Sequence, residues 1–139
     1  AWMLLTNDLC RQAVMSKNMI LRSSGLQQRD FITLHDVMRV LDHMLDLPRL
    51  KLGDGIFNVG KGKSMRVIDM VQLIQIRCKE VLGFTPKIIH LEPTVGEKSV
   101  KLDYCINKLL NTGFTLNGNP NDEIDAILRM CHETFIAAH

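Results

Sequence analysis

Apolar residues along the chain alternate between helical spacing and short runs of period two, and this alternation predicts the order of elements. Leu4, Leu5, Leu9, Ala13, Val14 and Met15 share one face of a predicted amphipathic helix over residues 3–17, which Asn18 stops. Residues 19–22 predict a short strand, Ser23-Ser24-Gly25 a turn, and residues 29–34 a second strand of alternating character. From Asp36 the apolar set Val37, Val40, Leu41, Met44 and Leu45 returns to helical period until Pro48 ends it. Gly53-Asp54-Gly55 predicts a turn and residues 56–59 a buried strand, apolar on both sides as parallel strands are. A second turn follows at residues 60–63.

The next helix is predicted to start after Ser64, with Val67, Met70, Val71, Ile74 and Cys78 on one face, Asp69 in its first turn and Gly83 at its close. Residues 87–91 read as a strand, 93–98 as a polar loop, 100–103 as extended chain, and 106–111 as a short helix closed by Gly113. Asn121 or Asp122 is the predicted cap of a last helix carrying Ile124, Ile127, Leu128, Cys131, Phe135 and Ile136. Strands alternating with helices give an α/β class with α+β character, without internal repeats or low-complexity tracts.

Composition narrows the function classes. The 139 residues are 46% hydrophobic and 23% charged, which fits one globular domain and neither a disordered nor a fibrous chain. Seventeen basic residues face fifteen acidic ones, both signs scattered, so the net charge of +2 offers no field for nucleic acid or anionic lipid. Any phosphate binding must be local. The cysteines at 10, 78, 105 and 131 form no C-x-x-C pair, and a reduced, cytoplasmic setting is the expectation. The apolar runs fall far short of the roughly 20 residues of a membrane helix. The N-terminus carries no secretory pattern and no initiator Met, so a processed or truncated chain is expected.

Several motifs tempt a chemical reading. Gly60-Lys61-Gly62-Lys63-Ser64 lies between a predicted strand and helix, where amides and the helix dipole favour anions. A P-loop would need glycine where Phe57 stands, and a dinucleotide fingerprint glycine where Met65 stands, so a plain turn with solvated lysines is the preferred reading. Tyr104 and Lys108 match Y-x-x-x-K, a catalytic pair in which the lysine favours a tyrosinate, yet no glycine-rich strand, turn and helix precedes them. Cys131 and His132 are adjacent and diverge on a helix, and His35 and His43 lack a third ligand. Arg29 stands at the mouth of a strand beside a glycine turn. Its guanidinium fork suits a phosphate, and it equally suits a salt bridge to Asp30 or Asp36; the residues alone divide these readings evenly.

The stretch Gly25-Leu26-Gln27-Gln28-Arg29-Asp30-Phe31-Ile32-Thr33-Leu34-His35-Asp36-Val37 resembles the G-x-x-x-R-D-[FY]-[IV]-x-[VL]-x-D-[VL] segment of the extended short-chain dehydrogenases, the NAD-dependent nucleotide-sugar epimerases and dehydratases. Ile56-Phe57-Asn58-Val59-Gly60-Lys61-Gly62 is similar to that family's [FY]-N-[VL]-G-x-G strand and turn. Asn107-Lys108-Leu109-Leu110-Asn111-Thr112-Gly113-Phe114 resembles its S-K-x-x-x-x-L-G-[FW] segment. Three motifs in order span nearly the whole chain.

The resemblance implies that residues 1–139 are a C-terminal, substrate-binding portion, with strands that would join a Rossmann sheet, and that the NAD-binding half with its catalytic residues lies outside the chain. It implies a nucleoside-diphosphate sugar as ligand, NAD in the parent enzyme and none bound by this chain alone. The missing Rossmann half is an expected partner and a homo-oligomer a further one, whereas nucleic acid, a membrane, a metal and catalytic residues within the chain are not expected. A non-catalytic nucleotide-sugar-binding or interaction domain is the alternative. By position, Arg29 matches the arginine that contacts the substrate diphosphate, and Phe31 stands where some members carry a tyrosine near the ligand. Leu21 and Arg22 belong to the strand whose backbone meets the base, and Glu97, in a loop similar to P-x-R-x-G-D, replaces an acid that binds ribose. The second arginine of that loop is replaced by Thr94 or Val95, and Trp2 and Met3 stand where the family has an asparagine.

Overall fold

A computed structural model describes residues 4–137, so the positions of Trp2 and Met3 lie outside the described residues. Helix α1 (Leu5–Ser16) ends on Lys17, whose left-handed φ of 55° lets its amide reach the Ala13 carbonyl at 3.1 Å. Strand β1 (Asn18–Ile20) follows directly. Strand β2 (Gln28–Asp30) leads into α2 (Leu34–Asp46) and the single turn α3 (Arg49–Leu52). Strand β3 (Ser64–Arg66) precedes the long helix α4 (Val67–Leu82), which Gly83 closes at φ 82°. Strand β4 (Lys87–Ile89), the short α5 (Asn107–Leu110) and α6 (Pro120–His132), extended by a π-helical turn at Glu133–Ala137, complete the order.

The main core lies where α1, α4 and α6 meet. Leu9, Cys10 and Ala13 from α1, Val71, Ile74 and Cys78 from α4, and Leu128 and Cys131 from α6 are all at most 1% exposed. β1 and β4 pair in parallel beside this core, with Met19 opposite Ile88 and fully buried. β2 and β3 pair antiparallel, Arg29 opposite Met65. A smaller cluster of Val40, Leu109 and Phe114 holds α2 against α5. α4 and α6 are also joined by a bidentate pair, Arg77 Nε to Asp125 Oδ1 at 2.8 Å and Nη2 to Oδ2 at 2.7 Å.

The mixed α/β class agrees with the sequence pattern, and four local expectations are corrected. The strand expected over 29–34 stops at Asp30, because Thr33 caps α2 by accepting from the Asp36 amide at 3.1 Å. Residues 56–59 form no strand: Ile56 is 70% exposed, and Asn58 instead donates to the Cys105 carbonyl. The helix expected to start after Ser64 starts at Val67, and residues 64–66 are β3, since β2 supplies a partner, Arg29 for Met65, that lies 36 residues away and that local spacing does not reveal. The cap of α6 is Asn119, with Pro120 in the first turn, in place of Asn121 or Asp122. Residues 100–103 are extended without a strand partner.

Candidate cleft around Arg29

The residues flanking Arg29 hold their segment in place by bonding to backbone. Gly25 has φ 79°, and its carbonyl accepts from the Ile68 amide at 2.9 Å; a Cβ there would sit 2.9 Å from the Ile68 Cβ. Asp30 turns its carboxylate onto the glycine turn of residues 60–62, Oδ1 accepting from the Lys61 amide at 2.7 Å and Oδ2 from the Gly62 amide at 2.9 Å. Asp36, buried, does the same further along, accepting from the amides of Asn117 at 3.0 Å and Gly118 at 2.9 Å and from Arg39 at 3.2 Å. Burial alone would raise the Asp36 carboxyl. The two amides, Arg39 and Thr33 outweigh it and hold the group below its ordinary value of 3.8.

These bonds remove one of the two readings that the sequence leaves open at Arg29, the salt bridge to Asp30 or Asp36. Asp30 faces the glycine turn and Asp36 the 117–118 loop, so neither pairs with Arg29, which is exposed and makes no ion pair among the described residues. Its side chain borders a cleft of about 830 Å³. Phe31, Val37, Met70, Ile124 and Ile127 give the cleft a mostly apolar wall, and Glu123 and Tyr104 add polar edges. Glu123 also anchors the start of α2, its Oε1 accepting from the Leu34 amide at 2.7 Å.

Arg29 and Phe31 therefore share one cavity wall, and the other three candidates lie elsewhere. Leu21 is buried in the main core, its amide donating to the Ile89 carbonyl at 2.8 Å. Arg22 beside it is exposed and lines no part of the cleft. Glu97 is bound to Ser24, whose hydroxyl donates at 2.5 Å, and to the Thr94 amide at 2.9 Å. The Ser24 bond, seconded by that amide, holds its carboxyl below the ordinary range. Met70, Ile127 and Glu123 were legible only as a core face and a helix start, because no local signal tells a cavity wall from a core.

The remaining motifs resolve as structure. The turn of residues 60–62 carries the Asp30 carboxylate, so it does not fit a dinucleotide pyrophosphate, and a Cβ at Gly60 would sit 2.8 Å from Asp30 Oδ2. Lys108 pairs with Asp54, donates to the Ile56 carbonyl at 2.6 Å and lies 4.9 Å over the Phe57 ring. It is thereby committed away from tyrosine chemistry, and Tyr104 lies before α5, off any helix. His35 meets Asn117 Oδ1 at 2.9 Å and His43 meets Thr112 at 2.8 Å. Among the described residues no cluster of three or more metal-ligating side chains occurs, and no helix is long and apolar enough to cross a membrane.

No protein-family profile matches the chain, and none of the curated proteins does. Thirty-two solved chains match it in fold. UDP-glucuronic acid 4-epimerase from Bacillus cereus, solved with UDP-glucuronic acid and NAD, superposes with a TM-score of 0.70 at 16% identity, over 96% of this chain and 41% of that one. RMD from Pseudomonas aeruginosa, complexed with NADPH, gives 0.69 at 15% identity over 96% and 44%. TunA, an NAD-dependent NDP-hexosamine 5,6-dehydratase of tunicamycin biosynthesis, gives 0.68 at 18% identity over 100% and 43%. The chain has the fold of the C-terminal portion of NAD-dependent nucleotide-sugar epimerases and dehydratases, the extended short-chain dehydrogenase type. It spans about two fifths of the length of these structures.

Proposed function

We propose that this chain is the substrate-binding portion of an NAD-dependent nucleotide-sugar epimerase or dehydratase, and that Arg29 grips the diphosphate of the sugar nucleotide. The observation that carries this reading is Arg29 itself, an exposed guanidinium on the wall of an 830 Å³ cleft whose two neighbouring carboxylates are both bonded elsewhere. An unpaired five-donor fork at the edge of an apolar cavity suits a ligand with an anionic bridge and a less polar body. Phe31 supports the same wall. Leu21, Arg22 and Glu97, outside the cleft, are proposed as contacts of the base and ribose on the far side of the 23–25 turn.

In this reading the dinucleotide and the catalytic groups belong to a separate nucleotide-binding half. A parallel sheet of two strands is an unusual end product, because parallel strands are normally covered on both faces. Ile20 and Ile89, 52% and 40% exposed on β1 and β4, suit a sheet that continues into that half. This chain's contribution is to hold the sugar nucleotide.

The test is calorimetric titration of the chain with UDP-, dTDP- and GDP-sugars. Binding of one of them in the micromolar range is expected, and Arg29→Ala should weaken it roughly 10- to 100-fold, as loss of a charge-assisted fork does. Arg29→Lys should recover only part of the loss, since a single ammonium lacks the planar fork. Absence of heat with every nucleotide sugar, or equal affinity in Arg29→Ala, would overturn the assignment.

A further inference from the structure

Residues 91–105 border the Arg29 cleft without belonging to the core. Leu102 and Tyr104 form part of the cleft wall. Every residue of the segment is exposed, its large apolar side chains included: Val100 is 73%, Leu102 62% and Tyr104 45% exposed. Apolar burial therefore does not fix the segment, and backbone with so few buried contacts opens locally at low cost. Its two ends are held firmly. Leu91 donates its amide to the Ser23 carbonyl at 3.1 Å, just past the pairing of β1 and β4, and Ile106, 5% exposed, closes the other end.

Between these ends the segment is tied by polar side chains rooted in the body of the fold. Ser24, buried in the turn after β1, donates its hydroxyl to Glu97 Oε1 at 2.5 Å. Gln28 of β2 donates to Ser99 Oγ at 2.8 Å. Ser64 of β3 accepts from the Leu102 amide at 3.3 Å and donates its own amide to Asp103 at 3.4 Å. Glu97 is presented to Ser24 by a turn of its own, in which its amide donates to the Thr94 carbonyl and its Oε2 accepts from the Thr94 amide, both at 2.9 Å. The Ser24 bond is the shortest of the ties and ends on a carboxylate, which makes it the strongest.

We infer that residues 91–105 are a releasable strap, latched to the body of the fold by Ser24 and Glu97, which swings away from the Arg29 cleft as a unit while the three-helix core stays folded. Latched, the strap completes the cleft wall with Leu102 and Tyr104. Released, it leaves the cleft wider. Water replaces the lost ties on the strap side, where Glu97, Ser99, Leu102 and Asp103 are all exposed, and no apolar contact has to break.

Limited proteolysis of the full chain with trypsin tests this, because a protease needs a stretch of backbone released from the fold and the strap carries Lys98 and Lys101. Cleavage after these lysines, followed by mass spectrometry and measured relative to a free peptide of residues 91–105, should be slower than in the peptide by about 10-fold or more. That ratio should stay constant in urea below the unfolding transition, as for a local opening that exposes little surface. Ser24→Ala should speed cleavage roughly 10-fold, as loss of a charge-assisted bond does. Glu97→Ala, at an exposed site outside the core, should do the same, and the double variant should be no faster than either single one, since both remove one bond. Cleavage as fast as in the peptide overturns the inference, because the strap is then never latched. So does cleavage that rises with urea in step with global unfolding, and so do variants that leave the rate unchanged or whose effects add.

Discussion

Asp30 and Asp36 show how a conspicuous motif divides its labour. Three of its polar or small residues, Gly25, Asp30 and Asp36, fix backbone: one turns against Ile68, and two accept amide pairs more than thirty residues away. Arg29 is left facing outward without an ion-pair partner among the described residues. Nothing local tells these roles apart, since a carboxylate that will cap a distant loop and one that will neutralise its neighbour look alike in a string of letters. The residues alone therefore divide evenly between phosphate fork and salt bridge, and the positions of residues 60–62 and 117–118 remove the salt bridge to Asp30 or Asp36.

The same geometry makes Asp36 a source of acid sensitivity. Its folded carboxyl titrates below the unfolded value, so its stabilisation is present above that value and is lost as pH falls below about 4 through the depressed folded range. Urea unfolding followed from pH 6 to pH 3 should show a steep loss at the acid end. In Asp36→Asn the loss should be shallower, from a starting stability lowered by about 1.5–3 kcal/mol, the usual cost of removing a charged acceptor from bonded donors. An acid limb as steep in the variant as in the parent would place the sensitivity elsewhere.

At the scale of elements, helices were the most legible part of the chain and strands the least. α1, α4 and α6 each carry a continuous apolar face, and α1 and α4 close at or beside their expected stops, Lys17 next to Asn18 and Gly83 itself. The strands are three residues long and owe their existence to partners far along the chain, which is why local spacing does not reveal β3 and suggests over 56–59 a strand that does not form. The joint between α4 and α6 is equally non-local. Arg77 and Asp125 lie 48 positions apart and meet bidentately, with side chains 25% and 11% exposed, whereas Arg66 and Asp69 pair within one turn at 42% and 35%. A double-mutant cycle with Arg77→Gln and Asp125→Asn in urea unfolding should give a larger coupling than the same cycle on Arg66 and Asp69. Equal couplings would mean that the longer-range pair adds no more to helix docking than an exposed one.

For the whole molecule, burial is uneven in a way that predicts its fluctuations. The three-helix junction contains the fully buried Leu9, Ile74 and Leu128, whereas residues 91–105 are exposed throughout and contain no helix or strand. Amide hydrogen exchange should be slowest in α1, α4 and α6 and fastest across 91–105, the usual contrast between a packed core and backbone with few buried contacts. Uniform protection along the chain would contradict it. Cys10, Cys78 and Cys131 occupy that junction, where desolvation pushes the Cys78 thiol up to about 11 and raises the other two as well.

The tie between Asp30 and the glycine turn has one more consequence, best put in the language of ion exchange. The turn at 60–62 is an anion site already loaded with its own counter-ion, and the chain delivers that carboxylate at an effective concentration that dissolved phosphate does not reach. The feature that most resembles a phosphate cradle is thus the one least open to exchange, and the proposed diphosphate contact rests instead on the guanidinium one residue before Asp30.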